Sequence, residues 1–226
     1  MDVEWSYSGS NGPEYWHTLC DWYADGAKFP YQSPIHLLHN HTKEIGDERL
    51  EFHYKKEQFT EKEFKNTIHF VPYNTESYVV FKGIEYVLTD IHFHMPSEHI
   101  IDDNQTELEF HLVHTNKAQE NLVVGVLFNL TEKLHWICNA QDDSIWDFES
   151  HNQWFNPEIF LPVEKSHFHY VGSLTTPPTM GPVNWFVFDE VGEMSRLFIE
   201  EFREEVLKDN NRPIQDTKDR AVFYCE

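Results

Sequence analysis

Cysteine and positive charge are both scarce in this sequence. The three cysteines, Cys20, Cys138 and Cys225, fall at no metal-ligand spacing. That excludes a cysteine zinc module and argues for a reducing compartment rather than a disulfide-stapled secreted fold. His135 stands three residues before Cys138, an isolated pair with no further cysteine near it. Only 17 basic residues stand against 39 acidic ones, a net charge of −22. Such a surface repels nucleic acid and anionic membranes. Long apolar runs are missing too. The longest, Leu122 to Phe128, is far too short to span a bilayer. The first residues lack the basic start and apolar core of a signal peptide, which points to a cytoplasmic location. With nine glycines in 226 residues there is little material for a linker, so one domain over residues 1–226 is expected.

Aromatic residues, at 15%, are plentiful, and 40% of the chain is hydrophobic, enough for a sizeable core. The first 35 residues are dense in aromatics and turn formers, with a short helix expected to start near Asn11 to Trp16. Gln32 to Ile35 leads into a short strand. Alternation then predicts strands at Leu50, Phe52 and Tyr54, around Ile68 and Phe70, over Tyr78 to Phe81 and from Tyr86 to Ile91. Lys82-Gly83 marks a hairpin turn between the last two. The charged run Lys55 to Lys65 reads as a solvated loop or short helix. Glu107 to Asn116 alternates, Leu122 to Leu130 is apolar on both faces, and Val183 to Phe188 is a further strand. Residues 139–160 read as loop and short helix. Ser195 to Lys208 is the clearest helix, with Ser195 as N-cap and Leu197, Phe198, Phe202 and Val206 on one face. The pattern is mainly β, with many short strands, little helix and no alternating βαβ units.

The chemistry concentrates between Asp90 and His99. If the strand before it runs on through His94, then Asp90, His92 and His94 share one face. Two imidazoles so placed either hold one metal ion or are ordinary hydrogen-bonded histidines. His111 supplies a third ligand on another strand, and Glu109 precedes it by two residues as Asp90 precedes His92. Each acid suits the carboxylate that orients a ligating imidazole through its second nitrogen. Three histidines leave the fourth position of tetrahedral zinc open, the arrangement of catalytic sites.

At this point the chain resembles the α-class carbonic anhydrases, and the resemblance covers nearly all of it. Trp5-Ser-Tyr7, Gly12-Pro13 with Trp16, and Gln32-Ser-Pro-Ile35 carry it in the first part. His92-Phe-His94 with Pro96-Ser-Glu-His99, and Glu109-Phe-His111-Leu-Val-His114, carry it in the middle. Gly172-Ser-Leu-Thr-Thr-Pro-Pro178, Val183-Asn-Trp185 and Asn211-Arg-Pro-Ile-Gln215 complete it. The short gap between His94 and His111 looks like bacterial members more than animal ones.

The resemblance implies a large twisted, mostly antiparallel sheet of about ten strands with short peripheral helices. It implies Zn2+ bound by His92, His94 and His111, with water as fourth ligand acidified toward a pKa of about 7. Asp90 and Glu109 would orient ligands. The implied reaction is reversible hydration of carbon dioxide to bicarbonate and a proton, with weak esterase activity alongside. The alternative is a non-catalytic binding or storage protein of the same fold, a type that usually lacks one or more of the histidines. By motif, Thr175 would aim the attacking oxygen and Glu98 would accept the Thr175 hydroxyl. Val113, Val123, Leu174 and Trp185 would form the wall that receives carbon dioxide, with Thr176 near the anion site. Tyr7, Asn66 and His69 would line the water-filled cleft. Sulfonamide and anion inhibitors are expected ligands, and a homodimer is compatible with the chain.

Three departures stand out. Asn66 occupies the position where the family carries a proton-passing histidine, and an asparagine does not titrate, so proton export would fall to water, buffer or His69. Asp90 stands where many members have a glutamine. Thr179 stands where secreted bacterial members often place a disulfide cysteine.

Overall fold

The computed structural model describes residues 3–44, 49–64, 67–132, 144–202 and 209–226. Its strands, in chain order, are β1 (His36–Leu37), β2 (Lys43–Glu44), β3 (Glu51–His53), β4 (Glu57–Phe64) and β5 (Thr67–Pro72). Next come β6 (Tyr78–Phe81), β7 (Ile84–His94), β8 (Ile100–Ile101), β9 (Leu108–Thr115) and β10 (Asn121–Thr131). The last are β11 (Asn152–Phe155), β12 (His167–Gly172), β13 (Val183–Phe188), β14 (Gly192–Ser195) and β15 (Val222–Cys225). Among the described residues, helix is confined to α1 (Trp16–Leu19), α2 (Asp21–Gly26), α3 (Arg196–Glu200) and short 3-10 turns. No helix among the described residues is long and apolar enough to cross a membrane.

Among the described residues, thirteen strands form one sheet. Ten follow the path β11-β4-β5-β7-β9-β10-β13-β12-β15-β2, and β3, β6 and β14 branch from it. Parallel pairing within it is limited to β10 with β13, β10 with β14 and β15 with β2. The mainly β, mostly antiparallel expectation therefore stands. One face packs Phe59, Phe70, Phe93, Phe110, Phe128, Phe155 and Phe186 into a large core. Each such fully buried ring stabilises the fold by roughly 1.5–3 kcal/mol. The other face carries a smaller cluster that includes Val123, Val183 and Trp185. Trp5, Trp16 and Tyr23 form a third, which ties down the N-terminal segment.

The Lys82-Gly83 turn is a hairpin, with both residues at positive φ (51° and 76°). β9 and β10 lie side by side over eight paired residues, from Thr115 opposite Asn121 to Leu108 opposite Phe128. β7 carries one irregularity that matters for the site. Its register against β9 slips between Leu88 and Asp90. The extra residue, Thr89, flips the parity of the strand. Tyr86 and Leu88 point into the large core before it, and Ile91 and Phe93 do so after it. Asp90, His92 and His94 are thereby turned to the opposite face.

Four expectations need correction. The charged run at 55–65 holds β4, not a loop. Phe59 is fully buried there, Glu57 accepts the backbone N–H groups of Glu76 and Ser77, and the remaining charges occupy the exposed end. Residues 152–155 form β11 against β4. The first α-helix begins at Trp16, because a 3-10 turn at Gly9–Asn11, a bend at Gly12 and a turn from Pro13 to Tyr15 precede it. Ser195 does cap α3 by accepting the Leu197 N–H, and Phe198 and Phe202 are buried, but Leu197 is exposed. Val206 lies outside the described residues, as do His135 and Cys138.

Candidate metal centre

His92 and His94 sit at the end of β7, and His111 sits on β9 directly opposite His92. Strand alternation places the first two on one face, and antiparallel register brings the third alongside. One ligand nitrogen from each lies within 4.8 Å of the others. The second nitrogen of each ring is already engaged. His92 Nδ1 donates to Asp90 Oδ2, His94 Nδ1 donates to the Asn210 carbonyl at 2.7 Å, and His111 Nε2 donates to Glu109 Oε1 at 2.9 Å. These bonds fix the tautomers and leave the lone pairs of His92 Nε2, His94 Nε2 and His111 Nδ1 free to converge. His94 Nε2 is buried without a partner. An orphaned imidazole nitrogen in a converging trio is what a metal-binding site requires, and three neutral nitrogens are a donor set suited to zinc. Burial pushes the pKa of His92 down to about 4 and that of His94 to about 3, and it lowers His111 as well. All three are therefore neutral, the form that binds a metal.

Two carboxylates stand behind the rings. Burial alone would raise Asp90, but its interactions with His92 and His69, which both hydrogen-bond it, outweigh burial and lower its pKa. Glu109 is likewise held well below its ordinary value, against burial, by His99 and His111. Its Oε1 accepts from His111 and His99, and its Oε2 accepts the backbone N–H groups of Glu98 and His99 at 2.8 Å each. His99 Nε2 lies 2.8 Å from the Tyr170 hydroxyl, which reaches Ser33 Oγ at 2.9 Å. A third carboxylate, Glu98, is pushed up to about 7 by burial, with His111 and the Thr175 side chain opposing the rise. Its Oε1 accepts the Arg212 N–H at 2.7 Å, while Oε2 has no partner within hydrogen-bond distance.

A model of the eukaryotic-type carbonic anhydrase family matches residues 11–226. The chain belongs to that family. The carbonic anhydrase of Nostoc sp. is 31% identical over 229 residues, covering 98% of this chain and 86% of that one. Dioscorin dioA3 of Dioscorea japonica is 30% identical over 245 residues, covering 100% of this chain and 88% of that one. Among solved structures, α-carbonic anhydrase of Thermovibrio ammonificans in complex with the inhibitor sulfanilamide superposes with a TM-score of 0.85. It shares 32% identity, over 99% of this chain and 100% of the other. Carbon dioxide hydration is the activity of this family of lyases, and its members take small-molecule ligands.

Within this carbonic anhydrase fold, Val113, Val123, Leu174 and Trp185 come together in the smaller apolar cluster. The Trp185 ring lies 4.9 Å from that of His111, and its Nε1 donates to the Ser173 carbonyl. Thr175 is buried beside half-buried Thr176, whose carbonyl accepts the Thr179 N–H. Tyr7 packs on Trp5 and Trp16, and its pKa is raised well above normal by burial and by the charge of Glu98. His69 reaches Asp90, and Asn66 lies outside the described residues. Asn210, Arg212, Tyr170 and Ser33 had no assigned role from the residues alone. Ser33 and Arg212 lay inside motifs that carry the family resemblance. Asn210 acts through its backbone carbonyl, for which no side-chain pattern exists.

Proposed function

We propose that this chain hydrates carbon dioxide with a zinc ion held by His92, His94 and His111. The observation that carries the reading is the convergence of three free imidazole nitrogens, each ring fixed from behind and one of them orphaned in the interior. Zinc, when bound, supplies a Lewis acid that acidifies water to near neutral pH. The chain's own residues do the rest. Asp90, the Asn210 carbonyl and Glu109 keep the rings aimed. Thr175 would donate its hydroxyl hydrogen bond to the unpartnered Glu98 Oε2, so its oxygen would be left to accept a hydrogen bond from the attacking water and to orient that oxygen. The influence of Thr175 on the Glu98 pKa supports this pairing. Val113, Val123, Leu174 and Trp185 offer carbon dioxide a wall without strong donors, suited to a small neutral molecule. The same nucleophile would attack activated esters weakly. A sulfonamide would compete at the metal, in keeping with the sulfanilamide complex of the Thermovibrio ammonificans relative.

Zinc content and stopped-flow hydration, with and without sulfanilamide, test this. One zinc per chain and sulfanilamide-sensitive hydration are expected. One zinc without hydration would instead favour a binding protein, and a chain that takes up no zinc would sink the proposal.

A further inference from the structure

Both carboxylates behind the rings are shared between a ligand histidine and an outer histidine. Glu109 lies between His111 and His99, and Asp90 lies between His92 and His69. The two are not equally secure. Glu109 is also held by two backbone N–H groups, so its orientation does not depend on His99 alone. Among the described residues, Asp90 is hydrogen-bonded by the two imidazoles only. His69 Nδ1 lies 2.8 Å from Asp90 Oδ1 and 3.0 Å from Oδ2, so its N–H straddles the carboxylate. The pairing of β5 with β7 sets His69 directly opposite His92, with ring centroids 4.8 Å apart. Phe64 closes on the His69 ring edge-on at 5.8 Å.

We propose that His69 is a positioning residue that clamps the Asp90 carboxylate so that Oδ2 stays on His92 Nδ1. An aspartate side chain on a half-exposed strand face has rotamers that carry it away from a neighbour two residues on. The ligand ring cannot fix that choice alone, because it is itself what the carboxylate must orient. A donor from the adjacent strand removes the freedom. The consequence is retention of the metal, since groups that orient ligands are typically worth about 10–100-fold in metal affinity. The inference rests on the zinc reading above and assigns His69 a task within it.

The experiment follows zinc transfer from the loaded full-length protein to a colorimetric chelator. Asparagine places an amide N–H near the position of histidine Nδ1, so His69→Asn keeps the donor, whereas His69→Leu and His69→Ala remove it. Zinc loss about tenfold faster in the Leu and Ala variants is expected, with the Asn variant within about threefold of wild type. In an Asp90→Ala background, His69→Leu should add no further loss, because the clamp has nothing to hold. Rescue by Asn and silence without Asp90 are outcomes that a simple packing role would not give. Donor-less variants that release zinc at the wild-type rate overturn the clamp and leave the zinc reading intact. So does a His69→Leu effect of equal size in the Asp90→Ala background. A wild-type chain that takes up no zinc overturns both.

Discussion

A single buried carboxyl, Glu98, makes the zinc-free protein sensitive to pH in a definite direction. Burial raises its pKa from an ordinary 4.5 to about 7. Below pH 4.5 the folded and unfolded chains both hold the proton, and Glu98 costs nothing. Between 4.5 and 7 the unfolded chain has released its proton while the folded chain keeps it, so folding loses about 1.4 kcal/mol per pH unit. Above 7 both are ionised and the penalty levels off at about 3 kcal/mol. Glutamine carries no such cost. The stability of metal-free Glu98→Gln relative to wild type, from urea unfolding, should therefore climb between pH 4.5 and 7 and then flatten. A difference that stays level over that range would mean that Glu98 ionises as an ordinary carboxyl. Retaining so costly a group fits the proposed role of Glu98 beside Thr175 better than a role in stability.

At the level of elements, alternation made β7, β9 and β10 legible, and with them the three histidines and the two acids before His92 and His111. Lys82-Gly83 was legible as well, because an exposed turn at positive φ leaves a local trace. The slip at Thr89 was not legible. Residues 86–91 look like an ordinary strand, and only pairing with β9 reveals the extra residue that turns Asp90 to the face of His92 and His94. β4 was hidden because its neighbours β5 and β11 supply the burial that its own charged residues conceal. Gly125 was silent for a related reason. Pairing of β10 with β9 sets it opposite His111, and a Cβ there would stand 3.0 Å from Glu109 Oε1. That close approach makes Gly125 part of what seats Glu109 against His111. Gly125→Ala should displace Glu109 and speed zinc loss about tenfold. Gly83→Ala is the control. A Cβ there meets nothing, so it should cost about 1 kcal/mol in backbone strain and leave zinc retention unchanged. Equal zinc retention in the two variants would show that the β10 glycine is not needed to hold Glu109.

For the whole molecule, the dominant unexplained quantity is a net charge of −22. Carboxylates outnumber Lys and Arg by more than two to one, so more than half of them cannot each have a Lys or Arg of their own. The described surface ion pairs offer little relief. Lys28 with Asp25, and Arg196 with Glu107 and Glu132, are well exposed. Such pairs contribute about 0–1 kcal/mol each. Mutual repulsion is relaxed when the chain unfolds and the charges move apart, so it destabilises the compact state. Salt acts on both effects. Between 10 and 150 mM the screening length falls from about 30 Å to about 8 Å, which removes long-range repulsion while weakening only a few exposed attractions. The net result should be stabilising. A melting temperature higher by about 2–4 °C, equivalent to roughly 1 kcal/mol for a chain of this size, is expected over that range. Sodium and potassium chloride should act alike, because screening depends on ionic strength and not on the cation. A flat or falling melting temperature would mean that local ion pairs outweigh the repulsion. A rise with one cation alone would point to ion binding in place of screening.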